Sequence, residues 1–129
     1  MKEGRQDIDI TKFLPHRPPM LMVSTMPLIN DSAVITNFEI TKDCIFVTNN
    51  YLTEPGLIEN AAQTCSAIVG QSYFLIDDLE GTSNSVIGYI SAIKKVVIHD
   101  LPKVGEILVT KAELISRYDT DNLSICTIS

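Results

Sequence analysis

The sequence predicts an α+β domain in which a curled antiparallel sheet wraps around one long buried helix. An alternating segment before residue 42 has the period of a strand, an apolar segment from Leu57 has the period of a helix, and the chain after residue 85 is again strand-like. At 129 residues the chain is long enough to bury one core, so we expect a single domain over residues 1–129.

The N-terminal part predicts irregular backbone followed by two strands. Three prolines interrupt LPHRPPM (14–20), where they remove amide donors and exclude a regular helix. The apolar segment 21–29 is a candidate short strand. In AVITNFEIT (33–41), the residues of one face are Val34, Thr36, Phe38 and Ile40. This alternation predicts a half-buried strand.

A loop and then the long helix follow. Residues 42–55 predict a loop with an apolar CIFV patch. From Leu57, the apolar residues at helical spacing are Ile58, Ala61, Ala62, Cys65, Ile68, Val69, Tyr73 and Ile76. A second, small or polar stripe consists of Glu59, Gln63, Ser66 and Gly70. Because this second stripe carries no Lys or Arg, we expect the helix to be buried nearly all round.

The C-terminal part predicts three antiparallel strands. The candidates are residues 85–100, interrupted near 92–95, residues 106–118 and residues 123–129, with turns at 102–105 and 120–122. Ile107 and Val109 alternate in the second candidate, and Leu123 and Ile125 alternate in the third.

Composition and charge exclude several classes of function. The apolar share of 45% and the charged share of 20% are typical of a soluble globular protein. The net charge of -6 argues against nucleic acid and anionic membranes as partners. An acidic carrier protein would need a local basic patch, for which the candidates are Lys12 with Arg17 and Lys94 with Lys95.

Cysteine spacing and the N-terminal segment predict the compartment. Cys44, Cys65 and Cys126 are widely spaced and form no C-x-x-C motif, which favours reduced thiols over disulfides or a zinc site. The N-terminus lacks the apolar core of a signal peptide, and no apolar run approaches a membrane span. We therefore expect a soluble cytoplasmic protein that binds no metal and no cofactor.

Three short motifs occur in order along the chain. They are Leu14-Pro15-His16-Arg17 followed by Pro-x-Leu-x-Val, Pro55-Gly56 leading to Ile58-Glu59-x-x-Ala62-Gln63, and Tyr89-Ile90-x-x-Ile93-Lys94 followed by Val104-Gly105-Glu106. Together with the layout, they resemble the hotdog-fold 3-hydroxyacyl-acyl-carrier-protein dehydratases of fatty acid synthesis over nearly the whole chain. The resemblance implies a hotdog fold and dehydration of carrier-bound 3-hydroxyacyl thioesters to trans-2-enoyl thioesters.

The chain departs from that family at two places. The dehydratases carry a catalytic histidine in a glycine-rich loop before the helix, whereas FVTNNYLTEPG (46–56) is shorter and has no histidine. Ser24 stands where the family usually has Asp. The shortened form resembles the dehydratase-like proteins of aryl-polyene and flexirubin-type pigment pathways, which keep the Pro-His-Arg-Pro-Pro-Met segment.

Dehydration needs an acid at the C3 hydroxyl, a base at C2 and donors to the thioester oxygen. Glu59 is the candidate acid, because burial among apolar helix residues disfavours its charged form. Gly56 and the free amides of the helix N-terminus are candidates for binding the thioester carbonyl. For His16, the sequence leaves open whether it is the base that replaces the loop histidine or a structural histidine bonded to a backbone carbonyl.

Three further residues are candidates for substrate binding. Gln63 lies one turn after Glu59 and either lines the pocket or makes a packing hydrogen bond. Arg17 either clamps a carboxylate or backbone carbonyls or makes a structural salt bridge. Met20 is a candidate for lining an acyl tunnel with Met22 and Met26, at least two of these methionines being core residues.

Two other functions remain open from the sequence. Hotdog proteins also hydrolyse acyl thioesters with a carboxylate on this helix, and a subunit without the loop histidine could bind acyl carrier or an active partner without catalysis. The resemblance implies that the partner is an acyl carrier protein or a CoA-linked acyl substrate. Open sheet edges predict a homodimer or higher homo-oligomer, in which His16 and Glu59 of one site come from one chain or from two.

Overall fold

The computed structural model describes residues 10–77, 90, 92–118 and 123–129. Its elements are helix α1 (Ile10–Phe13), strands β1 (Thr25–Ile29), β2 (Ala33–Glu39), β3 (Val47–Thr48) and β4 (Tyr51–Leu52), helix α2 (Glu54–Asp77), and strands β5 (Ile107–Tyr118) and β6 (Leu123–Ile128). The main sheet is antiparallel in the order β1-β2-β5-β6, and α2 packs against β2, β5 and β6. The predicted combination of an antiparallel sheet with one long helix is confirmed.

Strand β2 lies inside the main sheet and has the predicted faces. Val34, Thr36 and Phe38 are buried, and residues between them are less buried. Ile40, just after the strand, is also buried. Because side chains alternate across a strand, this face lies against the core.

Strand β5 is correctly predicted, but the apolar residues that alternate at its start lie on the exposed face of the sheet. Ile107 and Val109 are 63% and 61% exposed, whereas Thr110 and Ala112 are buried. Pairing with β2 places Thr110 opposite Thr36 and Ala112 opposite Val34, and this register fixes the buried phase. The sequence alone does not decide which face of β5 is buried, because apolar residues occupy both sets of alternate positions along the strand.

Residues 42–55 are not only a loop, because they contain a short hairpin. Strands β3 and β4 pair around Asn49 and Asn50, whose φ angles are 53° and 72°. Two consecutive residues with positive φ form the turn that suits a two-residue hairpin, and Asn tolerates that conformation. The hairpin places the side chain of Leu52 fully in the core, next to the start of α2.

The strand predicted over residues 85–100 is wrong where the structure describes it. Residues 92–100 form no strand, and Ile93, Val96 and Val97 are exposed. Apolar and β-branched residues favour a strand, but a strand also needs a partner edge, and no described residue pairs with this segment. Residues 85–89 and the predicted turn at 120–122 lie outside the described residues.

The turn predicted at 102–105 is confirmed. The amide of Glu106 donates to the carbonyl of Lys103 over 3.1 Å, and Gly105 has a φ of 95°. This left-handed conformation favours glycine. The amide of Gly105 also donates to the carbonyl of Ile40, which ties the turn to the end of β2.

The core consists of two apolar clusters. The first contains Leu14, Val23, Met26, Val34, Ala67, Ile68 and Ala112, and the second contains Met22, Phe38, Ile40 and Leu52. Met22 and Met26 are therefore core residues, which confirms that at least two of the three methionines fill the core. Met20 is 41% exposed.

Helix α2 is buried nearly all round over the residues whose side chains are described, which confirms the prediction, and its most buried face carries polar residues. No residue from Gly56 to Ile68 is exposed. The most buried polar residues are Asn60, Gln63 and Thr64, whereas the predicted apolar residues Ile58 and Ala61 are only partly buried. Polar residues occupy this face because each is hydrogen bonded there, which removes the cost of burying them. Among the described helices, none is sufficiently long and apolar to cross a membrane.

Candidate active site

The proline-rich segment carries His16 on a backbone that Arg17 holds in place. Nη1 of Arg17 donates to the carbonyl oxygens of Leu14 and His16, each over 2.8 Å, and Nη2 donates to the carbonyl of Thr11 over 3.3 Å. Leu14 is buried in the core below. The planar guanidinium suits this task because it presents several donors in a fixed geometry. Of the three interactions expected for Arg17, the described contacts show the one with backbone carbonyls.

Helix α2 begins beside the hairpin. The amide of Leu57 donates to the carbonyl of Thr53, which is the first helical bond, and both the amide and the hydroxyl of Thr53 donate to the carbonyl of Phe46. Pro55 has no amide hydrogen. Among the described residues, the amides of Glu54 and Gly56 both have no acceptor, so both are free donors at this helix end.

Gly56 itself is required by packing. A Cβ atom added to Gly56 would lie 2.5 Å from Cδ1 of Leu52 and 2.8 Å from Cβ of Phe46. The side chain position of any other residue is therefore already occupied. The close approach of the hairpin to the helix therefore explains the glycine by packing, and the approach of a substrate carbonyl to Gly56 stays a prediction.

Glu59 and His16 lie next to each other in the same chain. Nε2 of His16 is 3.8 Å from Oε2 of Glu59, and their side chains are 28% and 26% exposed. This distance is longer than a hydrogen bond. Both groups are thus partly sheltered and still reachable from outside, and the pair does not need a second chain to bring it together.

Gln63 joins Glu59 to the segment that carries His16. Its Nε2 donates to Oε2 of Glu59 over 2.8 Å and to the carbonyl of Met20 over 2.9 Å. Its Oε1 accepts from the amide of Met22 over 2.7 Å. Gln63 is fully buried, and both of its amide hydrogens are used. The backbone carbonyl of Met20 is therefore bonded to buried Gln63, whereas the side chain of Met20 is exposed.

Asn60 is a second buried amide that the sequence did not single out. Its Nδ2 donates to the carbonyl of Met22 over 2.8 Å, and its Oδ1 accepts from the hydroxyl of Thr110 over 2.6 Å. Thr64 donates to the carbonyl of Asn60 and contacts the hydroxyl of Thr36 at 2.7 Å. The available signal was a polar stripe at i, i+3 and i+4 inside a helix that carries no Lys or Arg.

Nδ1 of His16 is buried and has no hydrogen-bond partner among the described residues. A histidine that acts as a base through Nε2 carries its proton on Nδ1, and this proton normally has an acceptor that orients the ring. The described part of the chain brings His16 to Glu59 but supplies no such acceptor. Within the same residues, no group of three or more His, Cys, Asp or Glu side chains is arranged to hold a metal ion.

Comparison with known proteins agrees with this architecture. A solved structure described as the dehydratase heterocomplex ApeI:P from Xenorhabdus doucetiae matches with a TM-score of 0.73 and 18% identity, covering 87% of this chain and 74% of that chain. The likeness confirms the expected hotdog-type fold. A search of curated proteins gives no match. The family model for ApeP-like proteins, described as ApeP dehydratase, matches residues 8–116, so the chain belongs to the ApeP-like dehydratase family.

Proposed function

We propose that this protein removes water from 3-hydroxyacyl thioesters bound to an acyl carrier protein and forms trans-2-enoyl thioesters in aryl polyene biosynthesis. Membership of a dehydratase family supports the reaction class. The observation that carries the proposal is the 3.8 Å separation of His16 and Glu59 on a partly sheltered surface. The two reacting groups of the substrate lie on adjacent carbons, so an acid and a base only a few ångströms apart can reach both.

In the proposed reaction, Nε2 of neutral His16 takes the proton from C2. The electron pair of the broken C–H bond forms the C2–C3 double bond, and the C3–O bond breaks. Protonated Glu59 gives its proton to the leaving hydroxyl, which departs as water. The products in the site are an imidazolium and a carboxylate that attract each other at short range.

The site must then return one proton from His16 to Glu59. Both side chains are about a quarter exposed, so solvent water can carry this proton. The free amide of Gly56 at the start of α2 is the proposed donor to the thioester oxygen, where negative charge develops as C2 loses its proton. Met20, 41% exposed and following the His16 segment, is proposed to contact the acyl chain.

The test is a mass assay of the purified protein with 3-hydroxyacyl carrier protein. We expect loss of one water in the wild type and loss of this activity in His16→Ala and in Glu59→Gln. His99→Ala and Glu54→Gln are matched controls, because both residues are exposed and Glu54 lies in the first turn of the same helix. Retained dehydration in either test variant would contradict the assigned roles. Release of free acid instead would show a thioesterase.

A non-catalytic subunit is the second candidate function, and three observations favour it. Residues 46–56 contain no histidine, and within the described part of the chain Nδ1 of His16 has no acceptor of the kind that a catalytic base needs. The matching solved structure is described as a heterocomplex. In this case the chain alone gives no product, and activity appears only after a hotdog dehydratase that carries the loop histidine is added.

We further propose that the chain works as a dimer or as one subunit of a heterodimer. The segment 92–97 exposes Ile93, Val96 and Val97, and β6 pairs with β5 alone among the described strands. Lys94 and Lys95, exposed in the same segment, form the proposed basic patch for an acidic carrier protein. The expected cytoplasmic location stays a prediction.

A further inference from the structure

We propose that Gln63 is a positioning residue that determines which oxygen of Glu59 holds the catalytic proton. The inference rests on the proposed role of Glu59 as an acid. It assigns to Gln63 a task other than substrate binding, because both of its amide hydrogens and its carbonyl oxygen are already engaged by this chain.

The orientation of the Gln63 amide is fixed from outside the active site. The backbone amide of Met22 can only donate, so it must meet Oε1 of Gln63, and the carbonyl of Met20 can only accept, so it must meet Nε2. A flipped amide would lose both bonds. The remaining hydrogen on Nε2 is therefore always the one that points to Oε2 of Glu59.

This hydrogen bond separates the two oxygens of Glu59. Oε2 accepts from Gln63, whereas Oε1 has no hydrogen-bond partner among the described residues. When the carboxyl group is protonated, the oxygen that bears the proton is the donor and the other oxygen is the better acceptor. Gln63 thus holds the proton on Oε1, the oxygen left available to the leaving hydroxyl.

Asn60 provides a matched control because it is the same kind of buried amide on the same helix face. Its side chain binds the carbonyl of Met22 and the hydroxyl of Thr110, and among the described residues it makes no hydrogen bond to the carboxyl group of Glu59. Removing either amide breaks a buried link to residues 20–22. Only the loss of Gln63 also releases the carboxyl group of Glu59.

The kinetic test compares Gln63→Met with Asn60→Leu in the full chain. We expect both variants to lose stability to a similar degree, and only Gln63→Met to lower kcat by about ten-fold or more with little change in KM, because the acid proton is no longer held toward the substrate. Equal kcat losses in the two variants, or a loss confined to KM, would overturn the proposal.

A second variant keeps the test decisive if Gln63→Met does not fold. Gln63→Glu is isosteric and places a second carboxyl group against Glu59, so the two carboxyl groups share one proton. The pH at which kcat falls on the alkaline side, where the acid loses its proton, should therefore rise by roughly one unit or more. The titration of Glu59, followed by ¹³C NMR of its carboxyl carbon, should move in the same direction. Asn60→Leu should move neither.

The NMR readout separates the two proposals. If the wild type shows no dehydration but Gln63→Glu shifts the Glu59 titration, the proposed function fails and the contact between Gln63 and Glu59 stands. If dehydration is found and Gln63→Glu leaves the titration unmoved, the positioning role fails and the proposed function stands.

Discussion

The hydroxyl of Thr36 on β2 donates its hydrogen to the hydroxyl of Thr64 on α2 across 2.7 Å. The direction follows from the hydrogen count, because Thr64 already donates its only hydroxyl hydrogen to the carbonyl of Asn60. Both threonines are fully buried. This bond, together with the one between Asn60 and Thr110, fixes the rotation of the helix relative to the sheet.

The first prediction concerns this directed pair. Thr64→Val should lower the free energy of unfolding by about 1–3 kcal/mol, because the buried hydroxyl of Thr36 loses its acceptor. Thr36→Val should cost less, since the hydroxyl of Thr64 still donates to Asn60. Urea unfolding of both variants measures the difference. Equal losses would show that the assigned direction is wrong.

The double variant provides the control for that experiment. Replacing both threonines by valine removes donor and acceptor together, so its loss should be smaller than the sum of the two single losses. Strictly additive losses would contradict a direct bond between the two hydroxyls.

The second prediction concerns Arg17, which binds the backbone around His16. Arg17→Lys should lower kcat several-fold and leave KM nearly unchanged, because one ammonium nitrogen cannot replace the two guanidinium nitrogens that together bind the carbonyls of Leu14, His16 and Thr11. Steady-state kinetics on the carrier-bound substrate separates the two parameters. A rise in KM at constant kcat would instead support the substrate-binding role expected from the sequence.

The sequence predicts the buried face of a strand where apolar residues occupy only one set of alternate positions. It cannot predict the buried face where apolar residues occupy both sets. Strand β2 alternates cleanly, and its inward residues were predicted correctly. Strand β5 has apolar residues in both phases, so only its register with β2 decides that Val109 faces outward. For residues 92–100, composition favours a strand, but no described residue supplies the pairing edge.

The candidate site was predictable in its parts and not in its connections. Glu59 and Gln63 are four residues apart on a helix, a spacing at which side chains meet. The bonds from Asn60 to Met22 and Thr110 span 38 and 50 residues of sequence, and no local pattern encodes such contacts. The sequence places His16 in a segment interrupted by prolines, whereas its distance to Glu59 depends on how Gln63 holds Met20.

The third prediction tests the close approach at Gly56. Gly56→Ala should lower the free energy of unfolding by about 1–3 kcal/mol, although alanine is the better helix former, because its methyl group would meet Leu52 and Phe46. Thermal unfolding measures the effect. Leu52→Ala should offset part of this loss in the double variant, since it removes the atom at 2.5 Å. A stabilised Gly56→Ala protein would show that the hairpin can move away.

The fourth prediction follows from the two neighbouring thiols of α2 and β6. A hydrogen bond with Cys126, followed by burial, raises the pKa of the Cys65 thiol far above its ordinary value of 9.0. The unfolded chain therefore loses this proton above about pH 9, whereas the folded chain keeps it. Stability from this group is fully present below pH 9 and falls at higher pH, by at most about 1.4 kcal/mol per pH unit.

Urea unfolding between pH 8 and 10.5 measures that dependence. The wild type should lose stability more steeply above pH 9 than Cys65→Ala, in which the titrating thiol is absent. Cys44→Ala is the matched control, because its thiol lies near the sulfur of Met22 in the other apolar cluster. Identical slopes for the wild type and Cys65→Ala would mean that the folded protein ionises Cys65 as readily as the unfolded chain.

The fifth prediction concerns the exposed segment 92–97 and the proposed assembly. Val97 is 59% exposed, so Val97→Lys should leave the free energy of unfolding of the single chain within about 0.5 kcal/mol of the wild type. In a subunit interface, however, the lysine would have to be buried and would weaken association. Light scattering after size-exclusion chromatography should then show a lower mass at equal concentration.

Val109→Lys is the matched control, because Val109 is similarly exposed on the outer face of β5. If Val109→Lys dissociates the assembly and Val97→Lys does not, the interface lies on the outer sheet face.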